Sequence, residues 1–131
     1  IGIKMAAGRL ERDLEFCVFA KPDFVVLNNF SVVPLPYALY RAKKYLNTVD
    51  ADLDLMVELK DVADADEVAK IVAMGADVIV LKDSDKDMEE LTQGLVRIAK
   101  ETGHYDVSDL NVRDLCTTNR DIAQYTDIYH V

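Results

Sequence analysis

The sequence predicts an α/β fold of four parallel βα units, forming either half of a (βα)8 barrel or an open flavodoxin-like sheet, with a C-terminal helical tail. Three observations carry this. The stretch Ala73-Met74-Gly75-Ala76-Asp77-Val78-Ile79-Val80-Leu81-Lys82 reads as a helix end, a glycine stop and a run of four apolar residues. A continuous apolar run describes a strand buried on both faces, as in parallel sheets covered by helices. The unit occurs twice, because Ala20-Lys21-Pro22-Asp23-Phe24-Val25-Val26-Leu27 has the same order of parts. The interval between Leu27 and Leu81 leaves room for two strand–helix units.

Taken in order, Ile1 to Met5 reads as the first strand. It opens without an initiator methionine, as a piece of something longer or a processed product would. Ala6-Ala7-Gly8 is a small-residue turn. Arg9 to Ala20 carries Leu10, Leu14, Cys17 and Val18 at helical spacing, and Pro22 ends that helix. Asp23 to Leu27 is the second strand, with Asn28-Asn29 at its carboxyl end. Pro36 suits the first turn of a helix running to about Asn47. Leu53 to Leu59 is the third strand. Asp64 to Met74 is the third helix, with Val68, Ile71 and Val72 inward. After the fourth strand, Ser84 or Asp85 can cap a helix with Met88, Leu91, Leu95 and Ile98 on its apolar stripe, and Gly103 stops it. Residues 1–103 therefore form the βα domain. Residues 104–131 form an appendix of two short helices, Ser108 to Cys116 and Asn119 to Tyr125.

The 131 residues fit one domain by the prior of roughly 100–200 residues per domain. Such a chain buries about two-thirds of its unfolded surface, so no disulfide or metal is needed to hold it. Half the residues are apolar, which excludes disorder. No apolar run approaches the ~20 residues that span a bilayer. The net charge of −9 leaves no basic stripe to neutralise phosphates, so nucleic acid is not an expected partner. Cys17 and Cys116 lack metal-ligand spacing and read as buried, reduced thiols of a cytoplasmic protein. Asp83, Asp85, Asp87 and Glu89 alternate like a calcium loop but lack its glycine, and read as solvated acidic surface. No metal is expected.

In parallel α/β folds, function sits at the carboxyl ends of the strands. That rule nominates Lys4, Asn28, Asn29, Lys60, Lys82 and Asp83 as ligand-rim residues. A lysine that ends a buried apolar strand, as Lys4 does, reaches either solvent or an anionic ligand.

The segment Ile1 to Leu10 resembles the late-barrel strand and turn of the FMN-dependent glutamate synthase domain. Pro34-Leu35-Pro36-Tyr37-Ala38-Leu39-Tyr40-Arg41-Ala42 is similar to that family's next helix start. Asp66 to Lys70 with Ala73 to Val78 looks like its last helix and strand. Met88 to Gly103 with Asp106 to Leu110 looks like its C-terminal helix and tail. The resemblance covers nearly all of this chain but only the second half of the family's barrel, and it carries over Lys4 as the flavin- and substrate-facing lysine. The family's three phosphate-side glycine or small-residue loops are replaced here by Asn28 to Val33, by Glu58-Leu59-Lys60-Asp61-Val62 and by Lys82-Asp83-Ser84-Asp85. Its iron–sulfur cysteines are missing as well. Glycine lets backbone approach phosphate, and carboxylates repel it. The resemblance with these losses implies a degenerate, non-catalytic binding, regulatory or structural subunit without cofactor. Its half-barrel would be completed as a homodimer or on a larger subunit. The alternative is part of a split FMN-dependent glutamate synthase, with the flavin site completed by another chain and amino-group transfer to 2-oxoglutarate retained.

Overall fold

A computed structural model describes residues 2–4, 10–28, 34–60, 64–82 and 87–131, the first three by their backbone alone. The elements alternate: β1 (Gly2–Lys4), α1 (Leu10–Ala20), β2 (Phe24–Asn28), α2 (Leu35–Thr48), β3 (Asp54–Lys60), α3 (Ala65–Ala73), β4 (Val78–Lys82) and α4 (Met88–Glu101). The four strands make one parallel sheet in the order β1-β2-β3-β4. Its register pairs Ile3 with Leu27, Leu27 with Val57 and Val57 with Ile79.

The strand order settles where the helices lie. A doubly wound sheet reverses its strand order part-way, which sends helices to both faces. This order never reverses, so the flavodoxin-like alternative is not the observed topology. Right-handed crossovers between successive neighbours put every helix on one side. The packing agrees: Leu10, Leu14 and Cys17 of α1, Ala38, Leu39, Ala42 and Leu46 of α2 and Ile71 of α3 form one buried cluster with Val25, Leu27, Leu55 and Val57 of the sheet. Strands expected to be buried on both faces are thus covered by helices on one. Residues on the opposite face remain accessible, with Phe24 44% and Val78 41% exposed and Val26, Met56 and Val80 half-buried.

The helices end alike. Beyond α3, the Gly75 N–H donates to the Val72 carbonyl and the Ala76 N–H to that of Ile71. This is a Schellman closure around a left-handed residue, with Gly75 at φ +117°. Asp50 and Ala51 close α2 in the same way onto Asn47 and Leu46, and Gly103 and His104 close α4 onto Lys100 and Ala99. Lys21, also left-handed, closes α1 through one bond to Val18, because Pro22 has no second N–H to offer. Pro36 sits in the first turn of α2. The cap of α4 is Asp87, whose carboxylate accepts the Glu89 N–H. Ser84 and Asp85 lie outside the described residues. Met88 is 60% exposed and so does not join Leu91 on the buried stripe of α4.

Of the two short helices expected in the tail, the one from Asn119 to Tyr125 forms and the other, over residues 108–116, does not. Two 3₁₀ turns (Val107–Asp109 and Val112–Asp114) precede β5 (Cys116–Thr117), α5 (Arg120–Tyr125) and β6 (Tyr129–His130). β5 and β6 pair in parallel as a second small sheet. Cys116 lies on β5 and is exposed, so only Cys17 is a buried thiol, and burial pushes its pKa up. Asn111 and Asp114 form a capping box, and Asp114 also holds His104 at 2.8 Å. Leu110 anchors the segment in a cluster with Ala69 and Ala73 of α3.

The bond from the Asn111 N–H, with a smaller contribution from His104, holds the Asp114 carboxyl below its ordinary value. A depressed pKa stabilises the fold above the unfolded-state value, about 3.9 for aspartate, and that contribution disappears as pH falls through the lower folded value. Thermal melts of the wild type and Asp114→Asn should therefore differ most above about pH 4 and converge in stronger acid. A difference that stays constant from pH 7 to pH 3 would contradict this assignment.

Candidate functional site: the open sheet face and its carboxyl rim

The uncovered face is built by alternation along the strands. Val26, Met56 and Val78 stand in register across β2, β3 and β4, with Phe24 and Asp54 paired at the amino-terminal end. Going toward the carboxyl ends, Asn28 and Glu58 each follow the Leu27–Val57 pair by one residue, and Glu58 pairs with Val80. Lys60 and Lys82 pair at the rim itself. The face is therefore apolar across its middle, with Asp54 at the amino-terminal end and Glu58, Lys60 and Lys82 toward the carboxyl end.

Lys4, Asn28, Lys60 and Lys82 each end a strand of this parallel sheet, so all four positions lie at the same end. Lys4 is placed there by its backbone pairing with Asn28. Asn29 and Asp83 lie outside the described residues. Lys82 Nζ is 2.8 Å from Glu58 Oε1, with Glu58 the more buried of the two, its side chain 23% exposed. The sequence placed Glu58 and Lys60 on one rim with Lys4 and nominated Lys82, but it did not pair Glu58 with Lys82. The pairing follows from adjacency: Val80 lies beside Glu58, and Lys82 is two residues further along the same face. A solvated pair of this kind contributes at most about 1 kcal/mol and leaves the ammonium on a flexible stem. The described rim thus offers one carboxylate, two ammonium groups and one amide, a set suited to holding an anion or a polar partner surface. Among the described residues no group of three or more His, Cys, Asp or Glu is placed to hold a metal.

A second concavity, of about 640 Å³, runs along the outer side of α2 under the tail. Tyr40, Lys43, Lys44, Gly75, Leu110 and Ile128 are among its walls. Nothing in the sequence pattern announced it, since it arises where the tail crosses the helical layer. Its cations are already engaged. Lys43 reaches Asp77 at 3.3 Å, and Lys44 sits 5.8 Å from the centroid of the Tyr40 ring. Asp77 is itself structural: its carboxylate accepts the Leu55 N–H at 2.8 Å, and its own N–H donates to the Leu55 carbonyl. Glu11 and Arg41 join α1 to α2 by a bidentate pair at 2.6 and 2.7 Å, which holds the Glu11 carboxyl below its usual range. These contacts account for the seam as packing.

Among the described residues, no helix is long and apolar enough to cross a membrane. Comparison with family models, curated proteins and solved structures gave no match.

Proposed function

We propose that this chain is a non-catalytic (βα)4 half-barrel related to the FMN-dependent glutamate synthase domain, acting as a binding or structural subunit through its open sheet face. One observation carries the reading. A parallel sheet in sequential order has helices on one face only, and an apolar face is left without a cover among the described residues. Parallel sheets are found with both faces covered, and a bare apolar face with free edges favours association.

The charge at the rim supports a role without flavin. Glu58 stands at the carboxyl end of β3, where a flavin phosphate would need backbone amides, and Asp83 and Asp85 follow β4 in sequence. The purified protein is expected to be colourless and to leave FMN free in an equilibrium titration. Near-stoichiometric flavin absorbance would reject the reading. It would instead favour a split FMN-dependent glutamate synthase completed by another chain, for which the rim position of Lys4 beside Asn28 is the supporting observation. On the non-catalytic reading the chain works in the cytoplasm as a homodimer or on a larger protein subunit.

A further inference from the structure

We propose that the occupant of the open face is a second copy of this chain, related by a two-fold axis parallel to the strands, so that two four-stranded sheets close into one eight-stranded parallel barrel. This rests on the half-barrel reading above and names its partner.

Three features select this geometry. The first is the pair of edges. β1 and β4 are the outer strands of one parallel sheet, and among the described residues no further strand pairs with the outer side of either. A two-fold axis along the strands keeps every strand parallel and sets β4 of each copy beside β1 of its partner, which removes all four edges at once. Any arrangement that leaves an edge free keeps a template for further pairing.

The second feature is the number of strands. Eight is the count at which a barrel interior is just filled by side chains. Two copies place Phe24, Val26, Met56, Val78 and Val80 of each sheet inward as an apolar middle layer, with Asp54 at the amino-terminal end and Asn28 and Glu58 toward the carboxyl mouth.

The third feature is the flank of α1. Glu11 of α1 pairs with Arg41 of α2, which marks the side of α1 that faces its neighbour. At 3.6 residues per turn, Phe16 lies roughly 140° around the helix from Glu11, away from α2. Phe16 is 69% exposed. In the closed barrel that flank meets the helical layer of the partner beyond its β4. A face-to-face stack of two sheets would leave Phe16 in water. Such a stack would bury roughly 300 Å² of sheet per copy, from strands about 4.8 Å apart and about 3.3 Å per residue, against about 800 Å² per partner in a standard interface. Closure engages the edges and the α1 flank as well.

The test is light scattering of the purified chain at micromolar concentration, followed by two kinds of variant. The wild type is expected to be a dimer. Val78→Lys on the open face and Phe16→Arg on the α1 flank are each expected to shift it to monomer, with the helical circular dichroism retained. Ile3→Cys with Leu81→Cys, in a background lacking Cys17 and Cys116, tests the seam directly. Within one chain these positions lie on opposite outer strands, about 14 Å apart at three strand spacings, beyond the roughly 7 Å limit for a disulfide. Oxidation should therefore give a covalent dimer, and Ile3→Cys with Ile79→Cys covers the neighbouring register on the same face. A monomeric wild type, a dimer unmoved by both substitutions, or oxidation to an open ladder of higher multimers would each overturn the proposal. A chain that is monomeric alone but binds a different subunit from its host overturns the second copy and leaves the subunit reading standing. Bound flavin rejects the non-catalytic reading and leaves the dimer geometry standing.

Discussion

Replacing Leu27 by alanine is expected to remove about 2–5 kcal/mol of folding free energy, a large part of the 5–15 kcal/mol typical of a domain. Leu27 is fully buried and lies between Ile3 and Val57 in the sheet, within the cluster that holds Leu14 of α1 and Leu39 of α2. Losing its branched end leaves a void bordered by three elements, none of which can collapse without moving the others. The adjacent residue supplies the control. Val26 points to the open face and is half-buried, so Val26→Ala should cost well under about 1.5 kcal/mol in a dilute monomer. Urea denaturation of both variants makes the comparison. Equal losses at every protein concentration would mean that both faces of β2 are covered within one chain. A Val26→Ala loss that grows with wild-type association would mean that the second cover comes from another chain.

Leu27 and Val26 also show what the sequence could convey. Residues Val25 to Leu27 and Val78 to Leu81 are apolar without a break, which describes strands covered twice. Among the described residues, helices cover them on one face. An unbroken apolar run carries no periodicity to say which face the chain's own helices cover. The main helices were legible because their apolar residues recur at 3.6-residue spacing, as Leu10, Leu14 and Cys17 do, and because their stops are local chemistry at Pro22 and Gly103. In the tail only the helix expected from Asn119 to Tyr125 was legible, and it stands as α5 with Asn119 as its cap. The tail's two 3₁₀ turns are held by Asp106 and Asn111 side chains accepting nearby N–H groups, and its two-residue strands by pairing across ten intervening residues or more. Neither leaves a periodic trace. At the rim, strand ends located Lys60 and Lys82 by rule, but the bond between Lys82 and Glu58 depends on register, which no single strand specifies.

Gly75→Val is expected to cost about 2–4 kcal/mol and Gly103→Ala only about 1, although both glycines close a helix in the left-handed region. Gly103 has φ +85° and open space around it, so an added methyl meets only the intrinsic cost of that conformation. Gly75 has φ +117°, further from the conformation that L-residues tolerate, and a Cβ there would stand 2.9 Å from the Lys43 side chain. A β-branched residue adds a second branch in the same space and the steepest backbone penalty. Moving Lys43 aside gives no free relief, because its ammonium pairs with Asp77, whose carboxylate also takes the Leu55 N–H. The strain at Gly75 is therefore passed through Lys43 and Asp77 to the start of β3. Thermal melts of the two variants, read with hydrogen exchange at the Leu55 amide, check this route. The expected result is a larger fall in stability for Gly75→Val together with faster exchange at Leu55, and exchange unchanged in Gly103→Ala. Equal destabilisation, or a Leu55 amide as protected in Gly75→Val as in the wild type, would show that the closure of α3 and the clamp on β3 are independent.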